Sequence, residues 1–154
     1  MGFASNHDIN SYIGAAPASD NATATAGGSG DNTLVTGLAI DRFALGLPLS
    51  AAFLLRYKAV LAAAATLSVA YSIETDDASN FPAAVVLQSA TTAVIDTGGT
   101  GGTTQRGIFR IPVDLAGAKQ YIRLKFTPDL SAANTDTFEG SAIAVLGGQE
   151  NLPA

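Results

Sequence analysis

The chain has no cysteine and no tryptophan, and only one histidine and one methionine. Without cysteine there is neither a disulfide framework nor a thiolate metal site. The single histidine, His7, stands in a stretch with no strand pattern, so a serine triad or a histidine metal centre has nothing to be built from. A carboxylate pair for glycoside hydrolysis can be distant in sequence, but with no tryptophan there is little to stack on sugar rings. No enzyme is expected, and no cofactor. Charge is scarce too: 14% of the 154 residues are charged, against about a quarter in an ordinary soluble domain. With 47% hydrophobic residues, many of them alanine, such a surface reads as partly buried in an oligomer. Long apolar runs are missing. Ala51 to Val69 is broken by Arg56 and Lys58, so no membrane helix is expected. Met1 to Pro17 carries no lysine or arginine and no signal-peptide core, and Ser5 is one place short of the myristoylation pattern.

What is present is alternation. In Arg106 to Phe126, RGIFRIPVDLAGAKQYIRLKF, apolar Phe109, Ile111, Val113 and Leu115 alternate with Arg110, Pro112 and Asp114. Ile122, Leu124 and Phe126 then alternate with Tyr121, Arg123 and Lys125. Period two is the signature of strands with one face on a core. Ala116, Gly117 and Ala118 offer a turn between them, which predicts an antiparallel hairpin with Arg110, Arg123 and Lys125 in one row facing solvent or a partner protein.

Around it the chain reads as an all-β body. Thr33 to Asp41 predicts a first strand, with Leu34, Leu38 and Ile40 inward. Phe43, Leu45 and Leu47 lead to a stop at Pro48. Phe53 to Val60 fits a strand, or a helix running on through the alanines. The strand is preferred because Leu67, Val69, Tyr71 and Ile73 alternate strictly just beyond it, which predicts a second hairpin. Short strands follow at Ala84 to Leu87 and Thr92 to Asp96, with loops over Thr75 to Asn80, Thr97 to Gln105 and Thr127 to Asn134, and a last strand over Thr137 to Leu146. About eight short strands separated by turn signals predict an antiparallel β-sandwich of jelly-roll type. The expected division is an extended N-terminal arm over residues 1–31, a jelly-roll body over 32–147 and a tail over 148–154. The arm is small and polar apart from Phe3, Ile9, Tyr12 and Ile13, which would anchor it on another surface.

Single motifs add little chemistry. Glu74, Asp76 and Asp77 are the densest acidic group, but their spacing lacks the alternation and glycine of a calcium loop, so no metal site is assigned. The glycine loop from Gly98 to Gly102 lacks the lysine of a phosphate-binding P-loop. Asn21-Ala22-Thr23 matches a glycosylation sequon with no secretion signal to give it meaning. Eight basic residues against thirteen acids leave no basic footprint for nucleic acid. All eight lie between Arg42 and Lys125, and both flanks are purely acidic, as if the ends packed against basic surface of the same body or a neighbouring copy.

TLSVAYSIETDDASNF, the short strands, the glycine loop, RGIFRIPVDL, YIRLKFTP and the closing AIAVLGGQENLPA together resemble the capsid decoration, or cement, proteins of tailed bacteriophages, over about Ala65 to Ala154. The resemblance implies a jelly-roll sandwich that assembles as a homotrimer on the outer surface of the virion. There it would clamp major capsid protein subunits after shell expansion in the host cytoplasm, without catalysis, nucleic acid or membrane. The interface residues expected on this reading are Phe3, Ile9, Tyr12, Ile13, Arg110, Arg123 and Lys125. Two other classes fit the same composition: a tail or baseplate structural protein, and a jelly-roll carbohydrate- or receptor-binding module using loop tips where Asp76, Asn80 and the glycine loop meet.

Overall fold

A computed structural model describes residues 13–132 and 135–149. The described residues form no helix; they form ten strands in two antiparallel sheets. The strands are β1 (Ile13–Pro17), β2 (Ala22–Thr25), β3 (Val35–Thr36), β4 (Ile40–Asp41), β5 (Pro48–Leu61), β6 (Thr66–Asp76), β7 (Val85–Thr97), β8 (Thr103–Asp114), β9 (Tyr121–Leu130) and β10 (Thr137–Gln149). The first sheet runs β1-β10-β5-β8, with β2 continuing β1 along β10; the second runs β3-β9-β6-β7, with β4 continuing β3 along β9. Strands therefore pair from the outside of the chain inwards: β1 with β10, β3 and β4 with β9, β5 with β8, and β6 with β7. The chain is one long doubled ribbon, bent at β6 and β7 and rolled so that successive pairs fall in alternate sheets. This is the jelly roll that the strand pattern predicts.

Alternation explains the core. Along β5, Ala51, Phe53, Leu55, Tyr57, Ala59 and Leu61 are buried while their neighbours are not, so the period is two and the helical reading fails. Ile111, Val113 and Leu115 from one sheet meet Ile122, Leu124 and Phe126 from the other, with Phe53, Phe126 and Phe138 the bulkiest fully buried side chains.

The two expected hairpins are instead arches. β8 pairs with β5 and β9 with β6 and β3, so the turn at Ala116 to Ala118 crosses from sheet to sheet; the alanine bend between β5 and β6 does the same. Both arms of an arch turn an apolar row to the shared core, as both arms of a hairpin on one sheet do, and period two does not separate them. What holds the arches lies far away in sequence. The Arg42 guanidinium is buried and donates hydrogen bonds to the carbonyls of Ala118, Lys119 (2.9 Å), Pro48 (2.8 Å) and Leu115 (3.3 Å). Asp136 accepts the Ala62 amide at 2.8 Å.

Four further expectations change. Ile13 to Asp31, assigned to the arm, is part of the sandwich: β1 and β2 pair along β10, and Ala18, Ala24 and Ala26 enter the core. Met1 to Tyr12, with Phe3, Ile9 and Tyr12, lie outside the described residues. The first strand is split into β3 and β4, leaving Leu34 and Leu38 exposed and Ile40 buried. The split falls at Gly37, where a Cβ would stand 2.3 Å from the Ala18 carbonyl oxygen and 2.4 Å from that of Leu124. This seam joins the two sheets along one side. The two short strands after Asn80 are one strand, β7, with three register shifts against β6. β9 runs through Pro128, whose missing N–H is not needed because β3 has already ended opposite Phe126.

Candidate functional site

The outer face of the first sheet joins exposed apolar side chains to unpaired charge among the described residues. Register sets its rows across β1, β10, β5 and β8: Pro17, Ile143, Leu54 and Arg110; then Ala15, Val145, Ala52 and Pro112; then Ile13, Gly147, Ser50 and Asp114. In the other direction follow Ser141, Arg56 and Ile108, then Glu139, Lys58 and Arg106. Ile108 is 64% exposed and Ile143 50%, unusual values for isoleucines in mid-strand. Small residues at Ser50, Ala52 and Gly147 leave a shallow trough of about 540 Å³ walled by Ile13, Val145, Arg110 and Pro112. Four bases, Arg56 and Lys58 on β5 and Arg106 and Arg110 on β8, flank the apolar residues on one side, with Glu139 in the row of Lys58 and Arg106, and none of the four joins an ion pair among the described residues.

The second sheet is the opposite case, for its charges are spent internally. Glu74 on β6 lies between Arg123 and Lys125 of β9, accepting from Arg123 Nε at 2.9 Å and Nη2 at 2.8 Å through Oε2, and from Lys125 Nζ at 3.0 Å through Oε1. Burial pushes the Glu74 carboxyl up, but these hydrogen bonds and charges outweigh it and hold the group below its usual range. The Phe81 ring lies over the Arg123 guanidinium at 4.0 Å. Phe81 holds a left-handed backbone, φ 52°, rare for a bulky residue, so the loop after β6 is locked down at a conformational cost. Arg110 is thus on one outer face and Arg123 with Lys125 on the other. The expected single row does not exist.

The acidic group divides in the same way. Asp76 is a loop organiser: burial pushes its carboxyl up, but the amides of Ala83, Ala78 and Asp77 and the Lys119 charge hold it below the usual carboxylate range. Asp77 pairs with Lys119 at 2.8 Å, which raises the lysine. The acidic flanks have a local explanation as well. Asp31 accepts the amides of Gly27 and Leu130, Asp41 those of Phe43 and Ala44, and Asp136 that of Ala62, while Asp129 accepts from Asn32. These carboxylates close turns rather than meet basic surface.

A loop-tip site is not assembled. Asp76 ends β6 and Asn80 lies just beyond it, whereas the glycine loop sits beside the strand's beginning, where Thr66 opposes Thr97. The eleven residues of β6 separate them by about 30 Å. The loop's glycine at Gly98 is structural, since a Cβ there would lie 2.0 Å from the Ala62 carbonyl oxygen. Tyr57 donates to Asp96 at 2.9 Å, and burial together with that carboxylate pushes the phenol up to about 12. Of the expected interface residues, the first sheet's outer face gathers Ile13 and Arg110. Sequence reasoning missed Ile108, Arg106, Arg56, Leu54 and Ile143. Ile108 between two arginines at strand spacing was the available signal; Leu54 and Ile143 needed the register.

No protein-family model matches the chain, and no curated protein matches it. Among solved structures, it is similar to the infectious bursal disease virus VP2 subviral particle, with 16% identity and a TM-score of 0.47 over 92% of this chain and 34% of that one. It is also similar to a chain of the T13 particle of the same virus, with 14% identity and a TM-score of 0.49 over 92% and 32%. A third likeness is to the virus of the Gx strain, with 15% identity and a TM-score of 0.46 over 92% and 34%. The chain spans about a third of the length of these proteins.

Proposed function

We propose that the chain is a structural virion protein, without enzymatic activity, that decorates the outside of a tailed-phage head and holds major capsid protein subunits together. The observation that carries this reading is the contrast between the two outer faces: one uses its charges internally, while the other sets exposed Ile108 and Ile143 beside four bases of β5 and β8 that join no ion pair among the described residues. A rigid sandwich with one such face is built for attachment to protein, and the sequence resemblance to decoration proteins supplies the kind of partner. Repeated attachment of a homotrimer lets modest contacts add up on a shell under internal pressure. The first twelve residues, bearing Phe3, Ile9 and Tyr12, extend the contact to a neighbouring subunit in this reading.

The test is sedimentation of the purified protein, alone and with expanded capsids of the virus that encodes it. Co-sedimentation saturating at a fixed ratio to the major capsid protein is expected. Failure to bind the shell, with binding to tail components instead, would move the protein to the tail or baseplate.

A further inference from the structure

From the edges of the two sheets we infer that β8 takes up an extended acidic segment of a partner protein as an added strand, with Arg106, Ile108 and Arg110 reading its side chains. The inference rests on the attachment reading and names its mode. A jelly roll has four sheet margins, and long flat edges invite pairing with other chains. Three margins here are interrupted. β1 and β2 are separated by Ala18 to Asn21, β3 and β4 by Gly37 to Ala39, and β7 carries three register shifts against β6. β8 differs, for it pairs with β5 over twelve residues with no shift, and its other side has no partner strand among the described residues.

Which groups that edge offers follows from parity. The Leu115 amide donates to the Leu49 carbonyl of β5 at 2.9 Å, so odd-numbered residues of this run turn their backbone groups to β5. Even-numbered ones face the open side. Pro112, which has no N–H, is even-numbered, as a proline in a paired strand must be. Thr104, Arg106, Ile108 and Arg110 therefore present free N–H and C=O groups along the edge, and the same four residues turn their side chains to the apolar and basic outer face.

Charge chooses the occupant. A strand added here would place residues opposite Arg106, Ile108 and Arg110, best filled as acid, apolar, acid at alternate positions, with Arg56 adding a third positive charge in the row of Ile108. A second copy of β8 is the poorer occupant, since any register gathers four arginines along one seam. Nucleic acid would answer the bases but leave Ile108, Leu54 and Ile143 against phosphate.

Three variants separate the terms. Ile108→Pro removes one edge N–H without touching the bonds to β5, Ile108→Ala removes the side chain alone, and R106E/R110E reverses the charge. Each is first checked for unchanged unfolding. The probes are expanded capsids and a synthetic strand peptide with the core Glu-Thr-Val-Thr-Glu, beside a lysine-for-glutamate control and a single-stranded oligonucleotide. Expected is a tenfold or greater loss of both capsid and glutamate-peptide binding for Ile108→Pro and R106E/R110E, a smaller loss for Ile108→Ala, and amide-exchange protection of Ile108 and Arg110 with peptide bound. If all variants bind capsids like the parent, strand addition is overturned and attachment stands. If the parent ignores capsids but binds the peptide with edge protection, strand addition stands and the decoration reading falls. Equal binding of both peptides, no peptide binding, preference for the oligonucleotide, or dissociation of the protein's own oligomer by Ile108→Pro each overturns the inference.

Discussion

Replacing Glu74 with glutamine is expected to expose how far the second sheet depends on one carboxylate. The side chain is only 10% exposed, and its partners Arg123 and Lys125 are 17% and 21% exposed. It accepts three close hydrogen bonds from two cations that would otherwise stand side by side on β9. An exposed ion pair contributes less than about 1 kcal/mol, and stripping one partner from a fully buried pair costs about 3–5 kcal/mol. This group lies between those limits. Glutamine keeps an acceptor for Arg123 but loses the charge and sets an amide against Lys125, so the expected cost is about 2 kcal/mol. For a chain of this size that is a fall in melting temperature of about 4–8 °C. Urea unfolding at pH 7 measures the loss directly. The pH dependence carries the sharper test. The folded carboxyl is held below its unfolded value near 4.5, so its stabilisation is complete above that value and disappears as pH falls through the depressed one. The gap between parent and Glu74→Gln should close with acid. A loss under about 0.5 kcal/mol at pH 7, or a gap that stays constant down to the acid transition, would refute the reasoning.

Tyr57 gives the alkaline counterpart. Its phenol is raised from 10.0 to about 12, so stability is complete below pH 10 and is lost as pH rises towards 12, and Tyr57→Phe should remove that slope at a cost of about 1 kcal/mol at neutral pH. Arg42→Lys is expected to destabilise by more than about 2 kcal/mol in the same unfolding assay, because an ammonium cannot reach the four carbonyls that the planar guanidinium joins. Gly37→Ala should cost more than about 1 kcal/mol and raise amide exchange at Leu38, whose N–H bonds to Ala18 across the seam, since both obstacles are backbone oxygens with nowhere to go.

The inward rows of β5, β6, β8 and β9 were legible as written, and with them the fold class. Which sheet each row joins was not. Local alternation is identical for a hairpin and an arch, and the deciding contacts run from Arg42 to the β8–β9 turn and from Asp136 to the β5–β6 turn, more than seventy residues apart. Ile13 to Asp31 looked unable to fold because alanine hides little area by itself. It folds by borrowing the finished edge of β10. The candidate surface was half legible: Arg110 lies on it, but Arg123 and Lys125 have a hidden partner in Glu74, which the β6–β9 register sets opposite Arg123 and within reach of Lys125.

The doubled ribbon also sets a timetable. Its bend, β6 with β7, can close as soon as those residues leave the ribosome, and β5 can then find β8. The first sheet, however, waits for the last strand, since β10 lies between β1 and β5 and both need it for their hydrogen bonds. Until then the nascent chain carries a two-stranded fragment with bare margins and an early segment with no home. Pairing so distant in sequence is slow, and slow exposure of strand edges invites misassembly. Truncation before β10 should therefore yield an insoluble product rather than a smaller domain.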